Sequence, residues 1–256
     1  MEIYSRMTIT TSLGKRLADT DPVSRNRSLK KLATDMNSAE VKPETLEDFQ
    51  RVWRSLWYGL WMADKRPVQT QVAVQAVSMG TNLTDDQYVL WTRAFFLILI
   101  DMWPRLDRHR MDKYLLLLRV FIAELFRRER LSGWNSDFIT SLSAEIINGG
   151  AKCLGVALHV MRVWWEELDA EIKRSDNKVD NKVITKLMET PLHFALTSDT
   201  ESLIRRVCDD VLLKTEYMPK SLLRTMSKQL SARGRETEVC QEVREILFQT
   251  AESLLA

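Results

Sequence analysis

WRSLWYGLWMADKRP, residues 53 to 67, is the stretch on which the fold is read. Tryptophans at 53, 57 and 61 recur at every fourth position, which is helical spacing. Leu46, Phe49, Leu56 and Leu60 join them within an arc of about 140 degrees, the width of an ordinary core-facing stripe. Trp53 and Trp57 lie inside that arc and are expected in the core. Trp61 lies at its edge, beside the directions taken by Arg54 and Tyr58, where its ring reaches a surface groove. Arg66 precedes Pro67 and is pushed out of helical geometry. The spacing therefore predicts a helix ending at about Met62, a tight turn at Ala63-Asp64-Lys65-Arg66, and a second helix opened by Pro67. Asp64 is expected to accept a backbone N–H two residues on, as aspartates in such turns do.

The same reading extends outward in both directions. Asp21-Pro22 is an acceptor followed by an N1 proline, a start signal for a helix with Leu29, Leu32, Ala33 and Met36 on one face. The tryptophan helix is expected to begin near Pro43. Val68, Val72, Ala76 and Val77 mark the helix after the turn, with Gly80 as its stop. Thr84-Asp85-Asp86 starts a helix that is apolar almost all round, through Trp91, Phe95 and Leu99 to Pro104, and so is expected to be central. A charged turn, RLDRHRMDK at 105 to 113, feeds a long helix from about Arg110 to Arg130. FITSLSAEII, VALHVMRVWWEELDAEI, KVITKLMETPLHFAL, ESLIRRVCDDVLL, PKSLLRTMSKQL and ETEVCQEVREILFQTAESLLA complete the helical segments, and no strand alternation interrupts them. Short joints between helices of this length predict an all-α fold, a HEAT/armadillo-like helical-repeat solenoid of antiparallel helix pairs. The absence of a fixed period makes it an irregular one. A single domain over residues 1–256 is expected, with a polar loop near 176–182.

Composition agrees. Only 8 glycines and 6 prolines occur, and 45% of residues are apolar, enough for a sizeable core. Lys+Arg 37 against Asp+Glu 35 leaves no global basic field, so any attraction to nucleic acid or an acidic membrane must be local. Cys153, Cys208 and Cys240 are widely separated, no CxxC occurs, and no secretory signal opens the sequence, which together predict a reducing intracellular setting. The longest apolar run, AFFLILI at 94 to 100, is far shorter than the roughly 18 to 20 residues that span a bilayer.

Catalytic patterns are scarce. His109, His159 and His193 share no metal-ligand spacing, and no glycine-rich phosphate loop, GxSxG or HExxH is present, so neither an enzyme nor a cofactor nor a metal is expected. The chemistry that stands out is in the two charged turns. Asp64, Lys65 and Arg66 in the first, and Arg105, Asp107, Arg108, Arg110 and Lys113 in the second, mix both signs. That mixture suits salt bridges to a protein partner better than a phosphate track. Arg25, Arg27, Lys30 and Lys31 form a smaller basic patch, the candidate for direct contact with RNA.

Five segments, RLADTDPVSRNRSLKKL, LWYGLWMADKRPVQ, DRHRMDKYLLLLRVF, GVALHVMRVWWEELDAE and PLHFAL, occur in the order and approximate spacing of the ribosomal RNA processing protein 1 family. The chain resembles that family over roughly residues 16–196. The tryptophan helix ending in WMADKRP and the DRHRMDK turn are the most specific parts, while Trp164, Trp165 and Glu166 depart from the family pattern. The resemblance implies a non-catalytic nucleolar scaffold of large ribosomal subunit assembly, needed for precursor rRNA processing within pre-ribosomal (pre-60S) particles. It further implies partners in an assembly-factor module: a Brix-domain protein, its RNA-binding companion and a beta-propeller protein. Two other classes stay open on the residues alone. One is a generic helical-repeat adaptor in nuclear transport or phosphatase regulation; the other is a direct RNA-binding protein.

Overall fold

The computed structural model describes residues 14–38, 43–175 and 178–256, and among them the regular structure is helical, with no strand. In chain order the helices are α1 (Pro22–Asp35), α2 (Leu46–Trp61), α3 (Arg66–Ser78), α4 (Asp85–Met102), α5 (Arg108–Leu131), α6 (Ser136–Gly150), α7 (Leu154–Lys173), α8 (Asn181–Thr197), α9 (Glu201–Val207), α10 (Lys220–Gly234) and α11 (Gln241–Ser253). A 3₁₀ turn, Trp103–Arg105, links α4 to the loop before α5. The chain divides into two compact units, Met1–Glu124 and Leu125–Ala256.

In the first unit the helix starts have local causes. Asp21 accepts the N–H groups of Val23 and Ser24 at 3.1 and 2.9 Å, with Pro22 at the first helical position. α2 begins at Leu46 rather than near Pro43, because Thr45 and Asp48 form a capping box. Thr84 and Gln87 form the same device for α4. α3 stops at Ser78 with Met79 as its C-cap, and Gly80 after it serves close packing, not left-handed geometry. A Cβ there would lie 2.7 Å from the Trp91 indole nitrogen, so only glycine admits that ring.

The tryptophan stripe is the centre of this unit. Trp53 packs on Trp91 at 4.1 Å, Phe95 at 4.8 Å and Phe121 at 5.7 Å between ring centroids. Its indole N–H donates to the Trp91 carbonyl at 3.1 Å. Trp57 stacks on Tyr114 at 3.8 Å, and the Tyr114 hydroxyl donates back to the Trp57 carbonyl at 2.9 Å. Phe49 and Trp53 meet Trp91 and then Phe95, so partners rise together and α2 runs parallel to α4. Trp53 meets Phe121, Trp57 meets Tyr114 and Trp61 meets Arg110, so α5 runs antiparallel to α2. Trp53 and Trp57 are each 2% exposed. Burying rings of that size is worth roughly 4–6 kcal/mol apiece by area, as an upper bound.

The second unit stacks helices two apart in sequence. α6 packs on α8 and α8 on α10, while α7 packs on α9 and α9 on α11. These are the two layers of a helical-repeat stack, as the sequence predicts. α5 ends in a Schellman turn. Gly133 is left-handed at φ 75, its N–H donates to the Arg130 carbonyl, and the Trp134 N–H donates to the Glu129 carbonyl at 2.7 Å. Phe126 meets Trp164 edge-on at 5.0 Å. Ser227 ties α10 to α11 through the Ala251 carbonyl at 2.7 Å. The segment ESLIRRVCDDVLL, expected as one helix, is α9 followed by a π turn at Cys208–Leu212. Of the polar loop near 176–182, residues 176 and 177 lie outside the described residues, and Asp180 caps α8 through the Lys182 N–H.

Candidate functional site

The two charged turns, far apart in sequence, come together in the first unit around Lys113. Lys113 is 5% exposed, and its ammonium donates to the Trp61 carbonyl at 2.6 Å and the Ala63 carbonyl at 3.0 Å. It closes the end of α2 and leaves the set of residues available to a partner, a correction to the sequence expectation. Its placement follows from the helix period, since Lys113 shares the Leu117 and Val120 side of α5. Burial pulls its pKa below the ordinary lysine value; Asp64 and Asp107 oppose that shift and Arg110 adds to it. Gln69 completes the turn by donating to the carbonyls of Ala63 and Asp64, both at 3.1 Å. The expected Asp64 side-chain turn is not formed among the described residues; these longer-range donors replace it.

The acidic groups of the second turn are largely engaged. Asp107 accepts the N–H groups of His109 and Arg110 at 2.9 and 3.0 Å, starting α5, and pairs with the Arg110 guanidinium. Burial raises the Asp107 pKa, yet the hydrogen bonds from Arg110 and His109 and the charge of Arg110 outweigh it and hold the carboxyl below its usual range. The Arg110 guanidinium also lies 4.2 Å from the centre of the Trp61 ring, which is half-buried at the edge of the stripe as the arc predicts. Asp101, at the end of α4, pairs with Arg54 at 3.3 Å. Arg54, Tyr58 and the half-buried Trp61 thus lie along one side of α2, with Tyr58 38% exposed between the ion pair and the cation–π stack.

The remaining cations are different. Lys65, Arg66, Arg105 and Arg108 are exposed, and among the described residues none has a carboxylate within salt-bridge distance; Arg108 touches only the His109 ring nitrogen at 3.4 Å. Among the described residues, Asp64 and Asp112 beside them likewise have no cation within salt-bridge distance. The joined surface therefore carries more free positive than negative charge, which the alternating signs of the sequence concealed.

The α1 patch is arranged otherwise. Arg25 is half-buried and donates to the carbonyls of Asp19 and Thr20, both at 2.8 Å, and Lys31 pairs with Asp35 at 3.0 Å. Arg27 and Lys30 are exposed. Alongside, an apolar cleft of about 190 Å³ is lined by Leu17, Pro22, Leu29, Val68 and Val72. Val68 in that lining is 39% exposed. Among the described residues no group of three or more His, Cys, Asp or Glu side chains is placed to hold a metal ion, and no helix is long and apolar enough to cross a membrane.

Comparison with known proteins gives a consistent set of relatives. The Ribosomal RNA processing protein 1 homolog of Drosophila melanogaster is 29% identical over 162 residues, covering 60% of this chain and 24% of that protein. The Ribosomal RNA processing protein 1 homolog A of Mus musculus is 28% identical over 167 residues, 61% of this chain and 33% of that protein. The Dictyostelium discoideum homolog is 23% identical over 207 residues, 70% and 41% respectively. The chain spans less than half the length of each of these relatives. The family described as "Nucleolar protein, Nop52" matches residues 8–253, a range that includes the tryptophan stripe, both charged turns and the stacked helices, and the chain belongs to that family.

Proposed function

We propose that this protein is a non-catalytic scaffold of large ribosomal subunit assembly, resident in nucleolar precursor particles and needed there for the processing of precursor rRNA. The observation that carries the reading is the family match over residues 8–253, with relatives named as ribosomal RNA processing proteins. The helical-repeat architecture supports it, since such stacks present extended surfaces to other macromolecules. The expected neighbours are a Brix-domain protein, its RNA-binding companion and a beta-propeller protein. The scaffold acts by occupancy, holding an assembly intermediate in a form that processing enzymes recognise.

Affinity purification of the tagged protein, read for co-purifying proteins and precursor rRNA, tests this. Large-subunit precursors with those assembly factors are expected. Depletion is expected to lower large subunits while small subunits accumulate normally, and the purified protein is expected to leave precursor rRNA uncleaved. Balanced loss of both subunits, or cleavage by the purified protein, overturns the reading.

A further inference from the structure

The sequence suggested that the charged turns meet a protein through salt bridges of both signs. Such an interface needs free acids as well as free bases. Here Asp107 is held by the N-terminus of α5 and by Arg110, and Asp101 is held by Arg54. What faces outward is Lys65, Arg66, Arg105 and Arg108 against Asp64 and Asp112. Guanidinium groups fork onto phosphate oxygens, and three of these four cations are arginines.

A second, independent feature lies one helical turn before Trp61, whose ring the Arg110 guanidinium covers. Tyr58 presents 38% of its surface on the α2 stripe between the Arg54–Asp101 pair and the Arg110–Trp61 stack. Trp103, in the 3₁₀ turn that carries Arg105, is half-buried. An exposed ring on the helix that leads into a turn of unpaired cations is a combination that suits unpaired nucleotides: cations track the backbone while a base stacks on the ring. A duplex keeps its bases stacked internally and offers nothing to the ring. The platform is also fixed in place before any ligand arrives, because Lys113 and Gln69 occupy the carbonyls of the first turn.

We propose that the joined turns form a binding site for single-stranded RNA, with phosphates held by Lys65, Arg66, Arg105 and Arg108 and a base stacked on Tyr58. The assignment deepens the scaffold reading, on which it rests for the presence of RNA near the protein in the cell. It gives the protein a direct hold on the RNA of the particle.

The test is fluorescence anisotropy on the purified full chain, with a labelled oligouridylate of about 20 nucleotides as probe. An RNA duplex of equal length and a polyglutamate peptide are the competitors. Arg105→Glu with Arg108→Glu is expected to weaken binding at least about tenfold and to flatten the salt dependence, because each lost phosphate contact on a single strand removes about 0.7 from the logarithmic slope. Tyr58→Ala is expected to weaken binding about fivefold or more with the slope unchanged. Arg27→Glu with Lys30→Glu on α1 is expected to stay within about twofold of the parent protein. The milder Arg105→Gln with Arg108→Gln, checked by circular dichroism, gives the same direction should the reversal disturb folding. Turn variants that bind like the parent overturn the proposal, and so does polyglutamate displacing the probe where the duplex does not, since that identifies an acidic protein surface as the ligand. Either result, obtained while the protein still co-purifies with large-subunit precursors, removes the RNA site and leaves the scaffold reading standing.

Discussion

The basic patch on α1 and the joined turns start from similar sequence, a few arginines and lysines among polar residues, and differ in how many of those cations find a partner. On α1, Lys31 finds Asp35 one helical turn away, and Arg25 folds back onto two carbonyls. Both charges are satisfied locally, while Arg27 and Lys30 stay exposed. At the turns, Asp107 accepts the backbone N–H groups that start α5 and Asp101 pairs with Arg54 of a neighbouring helix, so both acids are engaged at the surface while Lys65, Arg66, Arg105 and Arg108 face solvent. An acid at i+4 on the same helix neutralises its lysine, whereas an acid that caps a helix is partly withdrawn from its basic neighbours. Counting charges along a segment misses this distinction. It depends on which acids have backbone work to do.

The contrast is sharpest in what supports each surface. The turns rest on the Trp57–Tyr114 stack and the hydroxyl bond beneath it. Trp57→Ala is expected to cost about 3–5 kcal/mol in denaturant unfolding, and Trp61→Ala less than about 2 kcal/mol, since only the first leaves a closed cavity. Equal losses would break the claim that Trp57 is the floor and Trp61 the rim. Lys113→Met is the next largest perturbation. The Trp61 carbonyl loses its ammonium donor while the Ala63 carbonyl keeps Gln69, so a loss of about 1–3 kcal/mol is expected, reduced by relief of the buried charge. A stability gain would show that the desolvation cost of the ammonium exceeds the value of its bonds. The smallest effect belongs to α1, where Lys31→Ala is expected to change stability by less than about 0.5 kcal/mol, the value of an exposed i,i+4 pair. A loss above 1 kcal/mol there would make the α1 patch structural and erase the contrast.

Much of the fold was legible because its signals are periodic and local. The burial of Trp53 and Trp57 and the edge position of Trp61 follow from 100 degrees per residue, and Asp21-Pro22 marks its helix start where expected. Pro43 misled because proline commonly opens helices, while the true signal was Thr45 three residues before Asp48, a capping box with aspartate in place of glutamate. The π turn after α9 left no mark in the apolar pattern, which continues through Cys208, Val211 and Leu212, all buried. At the candidate site, the residue types were legible and their engagement was not. Lys113 reads as one more surface cation until its place on the Leu117 side of α5 is considered together with the carbonyls that end α2, and those carbonyls belong to a segment some 50 positions earlier. No window of sequence contains both partners.

That separation bears on the order in which the protein takes shape during synthesis. The hairpin of α2 and α3 is complete as sequence by Ser78, but two of the carbonyls at its bend have no ammonium to receive until Lys113 has been made and α5 has docked. Gln69 is the only local donor to that bend among the described residues. An emerging chain therefore carries α2 and α3 with a loosely defined angle between them, and the arrival of α5 sets it. The Trp57–Tyr114 stack and the Arg110–Trp61 contact form in the same event, because their α5 members flank Lys113 within a single turn of helix. The surface of the joined turns comes into being as a late, all-at-once product of folding, so a fragment ending before Lys113 is expected to retain its helices and lack that surface.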